Sequence, residues 1–390
     1  MKNLVKKKGI ILFILLSLFV VLSANIKNVD LNKRALVIGM GVDFSEDGYE
    51  LTIQTYLAKQ VSDSSPEAGE ALTVSARGIT LGEAAKRLNI KTGKTLSFAL
   101  CYVVIFGAEA AERGVLDALN FIMNETDAAW DAALLYGEIS AKEIMKIKSP
   151  INTGSMLLLH DMLSDKQSKP YDTKTVKDFY ADCFSRSGAS SMPVLKKTAG
   201  GQDAESAGSE DDKEKKEYYE ISSAAVFKRD KFLFETDADE TFAMGLLSRG
   251  RARGTFGTDF GRGRASFITD RKKLHEKYNI SDMLYTAEIK VFLEASVSEK
   301  ESVINAGKDA FGPNGGASRI TLTKEEIAAA EQKIERDISA FIEKSAEYGA
   351  DVLALNDKFF QRFGRKWEEA AGSDYLNRIS KKIKVRAEIV

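Results

Sequence analysis

The sequence predicts an α+β protein of two to three domains, with mixed sheets and packed helices preceded by one N-terminal transmembrane or signal helix. Three observations carry this reading. An apolar run follows a lysine cluster at the chain start, strand-type runs alternate with helical stretches, and the stretch from Lys197 to Glu217 has no large apolar residue. Strand and helix periods that follow one another along a chain give layered mixed sheets.

Lys2, Lys6, Lys7 and Lys8 precede the unbroken run Gly9 to Ala24, the layout of a secretory signal or an N-terminal anchor. Ile10, Leu12, Phe13, Leu15, Leu16, Phe19, Val20 and Leu22 leave this segment no polar face. At about 1.5 Å per residue the run is roughly 24 Å long, against a hydrocarbon core of about 30 Å. Length therefore leaves a cleaved signal and a short anchor both open. No later window approaches spanning length, so the topology is one membrane segment followed by an exported part. The expected division is 1–25 signal or anchor, 26–196 an N-terminal α/β region with room for two subdomains, 197–218 a disordered linker, and 219–390 a C-terminal α+β domain. The linker KTAGGQDAESAGSEDDKEKKE cannot bury enough surface to order itself.

With 44% hydrophobic and 29% charged residues the chain can build sizeable cores, and a net charge of −1 gives no global field towards nucleic acid or an anionic surface, so nucleic acid is not expected as a partner. Basic residues concentrate in Arg249 to Arg264, which reads as an exposed loop or strand pair. Anionic lipid headgroups are the sensible functional reading of that cluster outside the cytoplasm. Cys101 and Cys183 are the two cysteines, and free buried thiols are expected of them.

Along the chain, Ala35 to Phe44 is a strand buried on both faces. Asp47-Gly48 then offers the positive φ angles of a tight hairpin into YELTIQTYL. Thr80 and Glu83 stand at capping-box spacing before AAKRLNI. Phe98 to Phe106 reads as one buried strand, followed by helix through AEAAERGVLDALNFIM and SAKEIMKI. After the linker, AAVFKRDKFLF reads as a strand pair. LYTAEIKVFLEASVSE is a long half-buried strand with Tyr285, Ala287, Ile289, Val291, Leu293, Ala295 and Val297 on one face. A glycine-rich loop, Ala306 to Ser318, precedes a second capping box, Thr323 and Glu326. The helix it opens carries the stripe Ile327, Ile334, Ile338, Phe341 and Ile342, expected to pack on the chain's own sheet. The last residues, KKIKVRAEIV, alternate as a terminal strand.

Motifs for catalysis are missing. His160 and His275 lack partners at metal spacing, and Gly39-Met40-Gly41 lacks the third glycine of a dinucleotide fingerprint. Glycines inside an apolar strand mark a bulge or close backbone packing. Asp43, Glu46 and Asp47 lack EF-hand spacing. A non-enzyme with no cofactor, metal or catalytic residue is expected.

The ordered blocks RALVIGMGVDFSEDGYELTIQ, SARGITLGEAAKRL, TLSFALCYVVIFGAEAAERGVLDALNFI, SSAAVFKRDKFLF, KVFLEASVSE and KSAEYGADVLALNDKFFQRFGRKWEEA resemble the C subunits of bacterial spore germinant receptors, the Ger(x)C family. The resemblance covers nearly all of the exported part. It implies that Gly39, Gly41, Asp43, Gly78, Gly107, Glu299, Gly349, Asp351 and Trp367 are family-motif positions, together with Tyr348 and Phe359. It implies a three-domain α+β molecule on the outer face of the spore inner membrane, assembled with an A-type polytopic subunit and a B-type transporter-like subunit, with no assigned catalytic residues. The chain departs from the pattern where Leu22, Ser23 and Ala24 lead a lipobox whose cysteine is Asn25, so no thioether-linked lipid can form there. Asn124 and Trp130 stand where the family tends to carry arginines, and the glycine usual after AVFKRDKF is missing. A membrane-tethered receptor subunit acting in germination through protein contacts is the leading functional expectation. The alternative is a membrane-anchored extracytoplasmic ligand-binding or sensory module. Loss of the lipid implies that the helix is kept as an uncleaved anchor with its lysines inside.

Overall fold

The computed structural model describes residues 17, 33–56, 71–147, 155–164, 171–199, 217–248, 254–260, 263–281, 284–302 and 322–389. The anchor residues Ile10, Leu12, Phe13, Leu15, Leu16, Phe19, Val20 and Leu22, the degenerate lipobox Leu22 to Asn25, most of the expected linker and the glycine-rich loop Ala306 to Ser318 lie outside the described residues. Among the described residues, no helix is long and apolar enough to cross a membrane.

Two sheets organise these residues. The larger contains β1 (Arg34–Ser45), β2 (Gly48–Tyr56), β3 (Ala71–Gly78), β5 (Val103–Phe106), β6 (Ala133–Gly137), β7 (Ala189–Ala199), β8 (Glu217–Lys228) and β9 (Lys231–Glu235), with β4 (Thr95–Ser97) paired to β1. Its order is β3-β2-β1-β5-β6-β7-β8-β9. The β1–β5–β6–β7 centre is parallel and both flanks are antiparallel. A parallel centre needs cover on both faces, and it has it. On one side Met40, Val42, Val104, Phe106 and Leu134 pack under α1 (Leu81–Thr92), α2 (Ala108–Arg113), α3 (Leu116–Glu125) and α6 (Val176–Phe184). On the other, Ile38, Val103, Ile105 and Leu135 pack under α4 (Ala141–Met145) and α5 (Ser155–Ser164).

The second sheet, β10 (Thr255–Asp259), β11 (Gly263–Ser281), β12 (Leu284–Ser302) and β13 (Ile379–Ile389), packs one face against α7 (Ala238–Leu247), α8 (Lys324–Glu347), α9 (Leu355–Phe363) and α10 (Arg365–Ala371). A short α11 (Tyr375–Arg378) leads into β13. The expected long strand is β12, whose Tyr285, Ala287, Ile289, Val291, Leu293 and Ala295 are all buried. Thr323 and Glu326 form a reciprocal capping box at the start of α8, and Ile334, Ile338, Phe341 and Ile342 bury against the chain's own sheet. The terminal strand is β13, parallel to β12.

Four local expectations need correction. Phe98 to Phe106 is not one strand: the chain turns after β4, with Cys101 N–H donating to Phe98 O, and only Val103–Phe106 enters the sheet. A turn can be as apolar as a strand when it is buried, and Phe98 and Cys101 are. The hairpin loop after β1 is Glu46-Asp47, and positive φ falls on Gly48 alone, at 118°. The helix read through Ala108 to Met123 breaks at Gly114 (φ 125°), where a Cβ would sit 2.4 Å from an Asp230 carboxylate oxygen. Finally, the stretch expected to separate two regions joins two paired strands, because β7 pairs antiparallel with β8 on either side of it. Alternate residues of β8 feed different cores: Ala225 and Phe227 enter the first, while Ala224 and Val226 enter that of the second sheet. The chain therefore passes from one core to the other within β8 and β9.

Candidate functional site

Gly39, Gly41, Asp43 and Gly107 come together around the start of α4. A Cβ on Gly39 would lie 2.6 Å from Met156 Cγ, and one on Gly41 would lie 2.7 Å from Met145 Sδ. These glycines let α5 and α4 ride close on β1, and a register shift between Val37 and Gly39 adds a bulge there. Asp43 then accepts from the N–H groups of Ala141 (2.7 Å) and Lys142 (2.9 Å), satisfying two orphan donors at the α4 start. Burial raises the Asp43 carboxyl above its ordinary value, and the two backbone bonds pull against that rise. A Cβ on Gly107 would stand 2.1 Å from Asp43 Oδ1, so only glycine leaves room for the carboxylate. Next to this nook, Gln54 receives Met156 N–H (3.0 Å) and donates to Ser155 Oγ (2.8 Å), fixing the start of α5. Gly78 turns the chain tightly into α1, whose cap Thr80 accepts from Glu83 N–H.

Gly349, Asp351 and Trp367 form a second group. Gly349 (φ 69°) ends α8. Asp351, 2% exposed, accepts from Leu355 N–H and Asn356 N–H, both at 2.8 Å, and from the Tyr375 hydroxyl at 2.8 Å. Burial, then the adjacent Asp351 charge, holds the Tyr375 hydroxyl protonated far above its usual range. Trp367 is fully buried and donates to Asn356 Oδ1 at 2.9 Å, and it packs on Phe359, Tyr285 and Tyr375. Glu299 stands apart on β12, exposed opposite Ser266. Asn124 is exposed on α3 and Trp130 is half exposed. Leu233, within β9, stands where that glycine is usual, and the β8–β9 turn places Arg229 at φ 55°, its guanidinium donating to Cys183 O.

Between the two bodies lies a cleft of about 370 Å³, lined by Asp172, Lys174, Asp182 and Ser190 on one side and by Met244, Ser248, Asp351, Ala354, Asp357 and Lys358 on the other. A bolt closes one end. Asp357 accepts from the N–H groups of Arg186 (3.0 Å) and Ser187 (2.9 Å), and Arg186 stacks over Phe360 at 3.4 Å and reaches Glu368 at 3.2 Å. The polar side chains of the cleft largely satisfy one another: Lys174 pairs with Asp182, Ser190 donates to Asp182, and Lys358 pairs with Glu276. Beside the lining Ser248, Lys272 donates to Gly245 O, Leu246 O (3.2 Å) and Ser248 O (2.7 Å), so a cation terminates α7. Burial pulls the Lys272 ammonium down to about 8. Sequence reading missed Asp357, Arg186 and Lys272; an acid in the first turn of α9 was the faint signal for the first of them.

Burial pushes both thiols up to about 12, and both are free and buried, as expected. His160 stacks on Tyr102 and His275 meets Phe292 edge-on. Among the described residues, no group of three His, Cys, Asp or Glu could hold a metal. Of the segment Arg249 to Arg264, the described part is the β10–β11 strand pair.

Comparison with known proteins fits this architecture. Residues 27–197 match the family model described as spore germination protein N-terminal domain, and residues 222–390 match that described as spore germination B3/GerAC like, C-terminal. A solved structure titled "Crystal Structure of the GerBC protein" is similar over 90% of this chain and 97% of that one, with a TM-score of 0.55 and 16% identity. That likeness shows a shared mixed α+β fold. Among curated proteins there is no match.

Proposed function

This chain belongs to the spore germination GerAC family, and from that premise we propose that it is a non-enzymatic, membrane-tethered subunit of a germinant receptor complex. The observation that carries this reading is the order and extent of the two family matches, which together span 27–197 and 222–390. A role in germination-receptor function follows from the family. The tether, the partners and the side of the membrane are our reading. Gly9 to Ala24 serves as the uncleaved anchor in place of a lipid, with the bulk of the chain outside the cytoplasm and A-type and B-type receptor subunits as its partners. The family-motif residues support a scaffolding role, since Gly39, Gly41, Asp43, Gly107 and Asp351 spend their chemistry on helix starts and close packing.

Deletion of the gene in its spore-forming host, scored by nutrient-triggered germination with and without complementation, tests the role. Slowed germination restored by the gene is expected. Unchanged germination in a strain also lacking paralogues would remove the reading.

The cleft of about 370 Å³ favours a second reading, a ligand-binding or sensory module. A thermal shift of the isolated full chain with small polar solutes, in the absence of other subunits, would support it. A stable complex with A-type and B-type subunits and no such shift supports the first.

A further inference from the structure

Among the described residues, the β10–β13 sheet is packed on one face only. Its other face is open, and the strand registers arrange that face in rows. Lys277, Glu288 and Lys382 form one row, and His275, Lys290 and Lys384 the next. Lys273, Phe292 and Arg386 follow, then Arg271, Glu294 and Glu388. Seven Lys or Arg thus face outward with three Glu, in a chain whose net charge is −1. Arg386 is paired with Glu331, and Arg271 lies 3.9 Å from Glu294. Lys273, Lys290 and Lys384 have no ion-pair partner among the described residues. They surround Phe292, a large apolar side chain left 39% exposed. At the end of the sheet nearest β10 the charge is neutralised by Arg264 and Asp259.

This face is not an edge awaiting another strand. Glu335 accepts from Val385 N–H and Glu331 from Ala387 N–H, both at 2.8 Å, so carboxylates from α8 cover donors of the outer strand β13. The clefts found among the described residues are lined by other side chains. Three strands about 4.8 Å apart and four rows about 6.8 Å apart make a basic plate roughly 10 by 20 Å. Long lysine stems around an aromatic ring suit a lipid surface, with ammonium groups at phosphate level and the ring at the interface.

We propose that this plate rests on anionic lipid headgroups and orients the second sheet against the membrane. The proposal rests on the membrane-tether reading of Gly9 to Ala24 and adds a second, electrostatic contact. Each Lys or Arg held at an anionic surface strengthens binding roughly fivefold, so the plate adds selectivity for acidic lipid that the apolar anchor lacks.

The test uses the full chain mixed with vesicles of phosphatidylcholine alone or with phosphatidylglycerol added. Flotation reads the tether, and lysine acetylation followed by mass spectrometry reads the plate. Lys273, Lys290 and Lys384 are expected to acetylate several-fold more slowly on phosphatidylglycerol vesicles, with the difference lost near 1 M salt and absent at the exposed Lys86 and Lys177. Flotation with both vesicles but equal acetylation would overturn the plate and leave the tether standing. Salt-sensitive flotation with phosphatidylglycerol only, with protection of the three lysines, would support the plate and remove the tether. Protection that arises only when receptor subunits are added would overturn the proposal in favour of an acidic protein surface.

Discussion

Gly107→Ala is the sharpest probe of how the first body is built. The added methyl would sit 2.1 Å from Asp43 Oδ1 and 3.1 Å from Ala141 N, so it must displace the carboxylate from the start of α4. Two hydrogen bonds to a charged acceptor are then lost, at 2.7 and 2.9 Å, each with a net contribution of about 1.5–3 kcal/mol. Partial relaxation brings the expected loss to about 3–4 kcal/mol. Asp43→Ala leaves the same two N–H groups without an acceptor and should cost about as much. The methyl acts through the carboxylate, so the double variant should be hardly worse than Asp43→Ala alone, a coupling of about 3 kcal/mol. Urea unfolding of the full chain in mild detergent, followed by far-ultraviolet circular dichroism, measures all four corners of the cycle. A Gly107→Ala chain within about 0.5 kcal/mol of the wild type, or costs that simply add, would rule out the Asp43 carboxylate as the group that the methyl displaces.

Three further outcomes follow from the same geometry. Asp357→Ala strips the acceptors from Arg186 N–H and Ser187 N–H. It should cost about 1–3 kcal/mol and make the 185–188 loop more open to limited proteolysis, and an unchanged digestion pattern would contradict the bolt. Lys272→Met removes the donors that end α7 and should cost about 1–3 kcal/mol near neutral pH. Because folding lowers the Lys272 pKa to about 8, the unfolded chain holds the proton more tightly above that pH. The stability of wild type relative to Lys272→Met should therefore grow as pH rises through about 8 towards the ordinary lysine value, and a falling difference would contradict the burial. Cys101 and Cys183, buried and pushed up to about 12, should resist a thiol reagent at mildly alkaline pH until urea unfolds the chain. Labelling of the folded chain at the unfolded rate would refute that placement.

Much of the fold was legible because local periodicity decided it. The alternation from Tyr285 to Ala295 had one solution, a strand with one buried face, and the stripe from Ile334 to Ile342 behind Thr323 and Glu326 had another. Gly39 and Gly41 in an apolar strand already implied close backbone approach, and Met156 and Met145 are what approach. Legibility failed where burial hides shape. Phe98 to Phe106 is apolar throughout, so composition could not separate its turn from its strand. A single polar stretch suggested a boundary, yet β7 and β8 pair on either side of it, and the passage between cores lies in the alternation of Ala224, Ala225, Val226 and Phe227. The Asp357 bolt joins groups about 170 positions apart, a proximity that no local pattern encodes.

Membership of a receptor complex is tested most directly by purifying the full chain, tagged at its C-terminus, from dormant-spore membranes under mild detergent. A-type and B-type receptor subunits of the same host are expected to accompany the tagged chain, and Asp43→Ala to weaken that association by disturbing the first body. A chain recovered from those membranes without either subunit, at wild-type levels of folded protein, would contradict it.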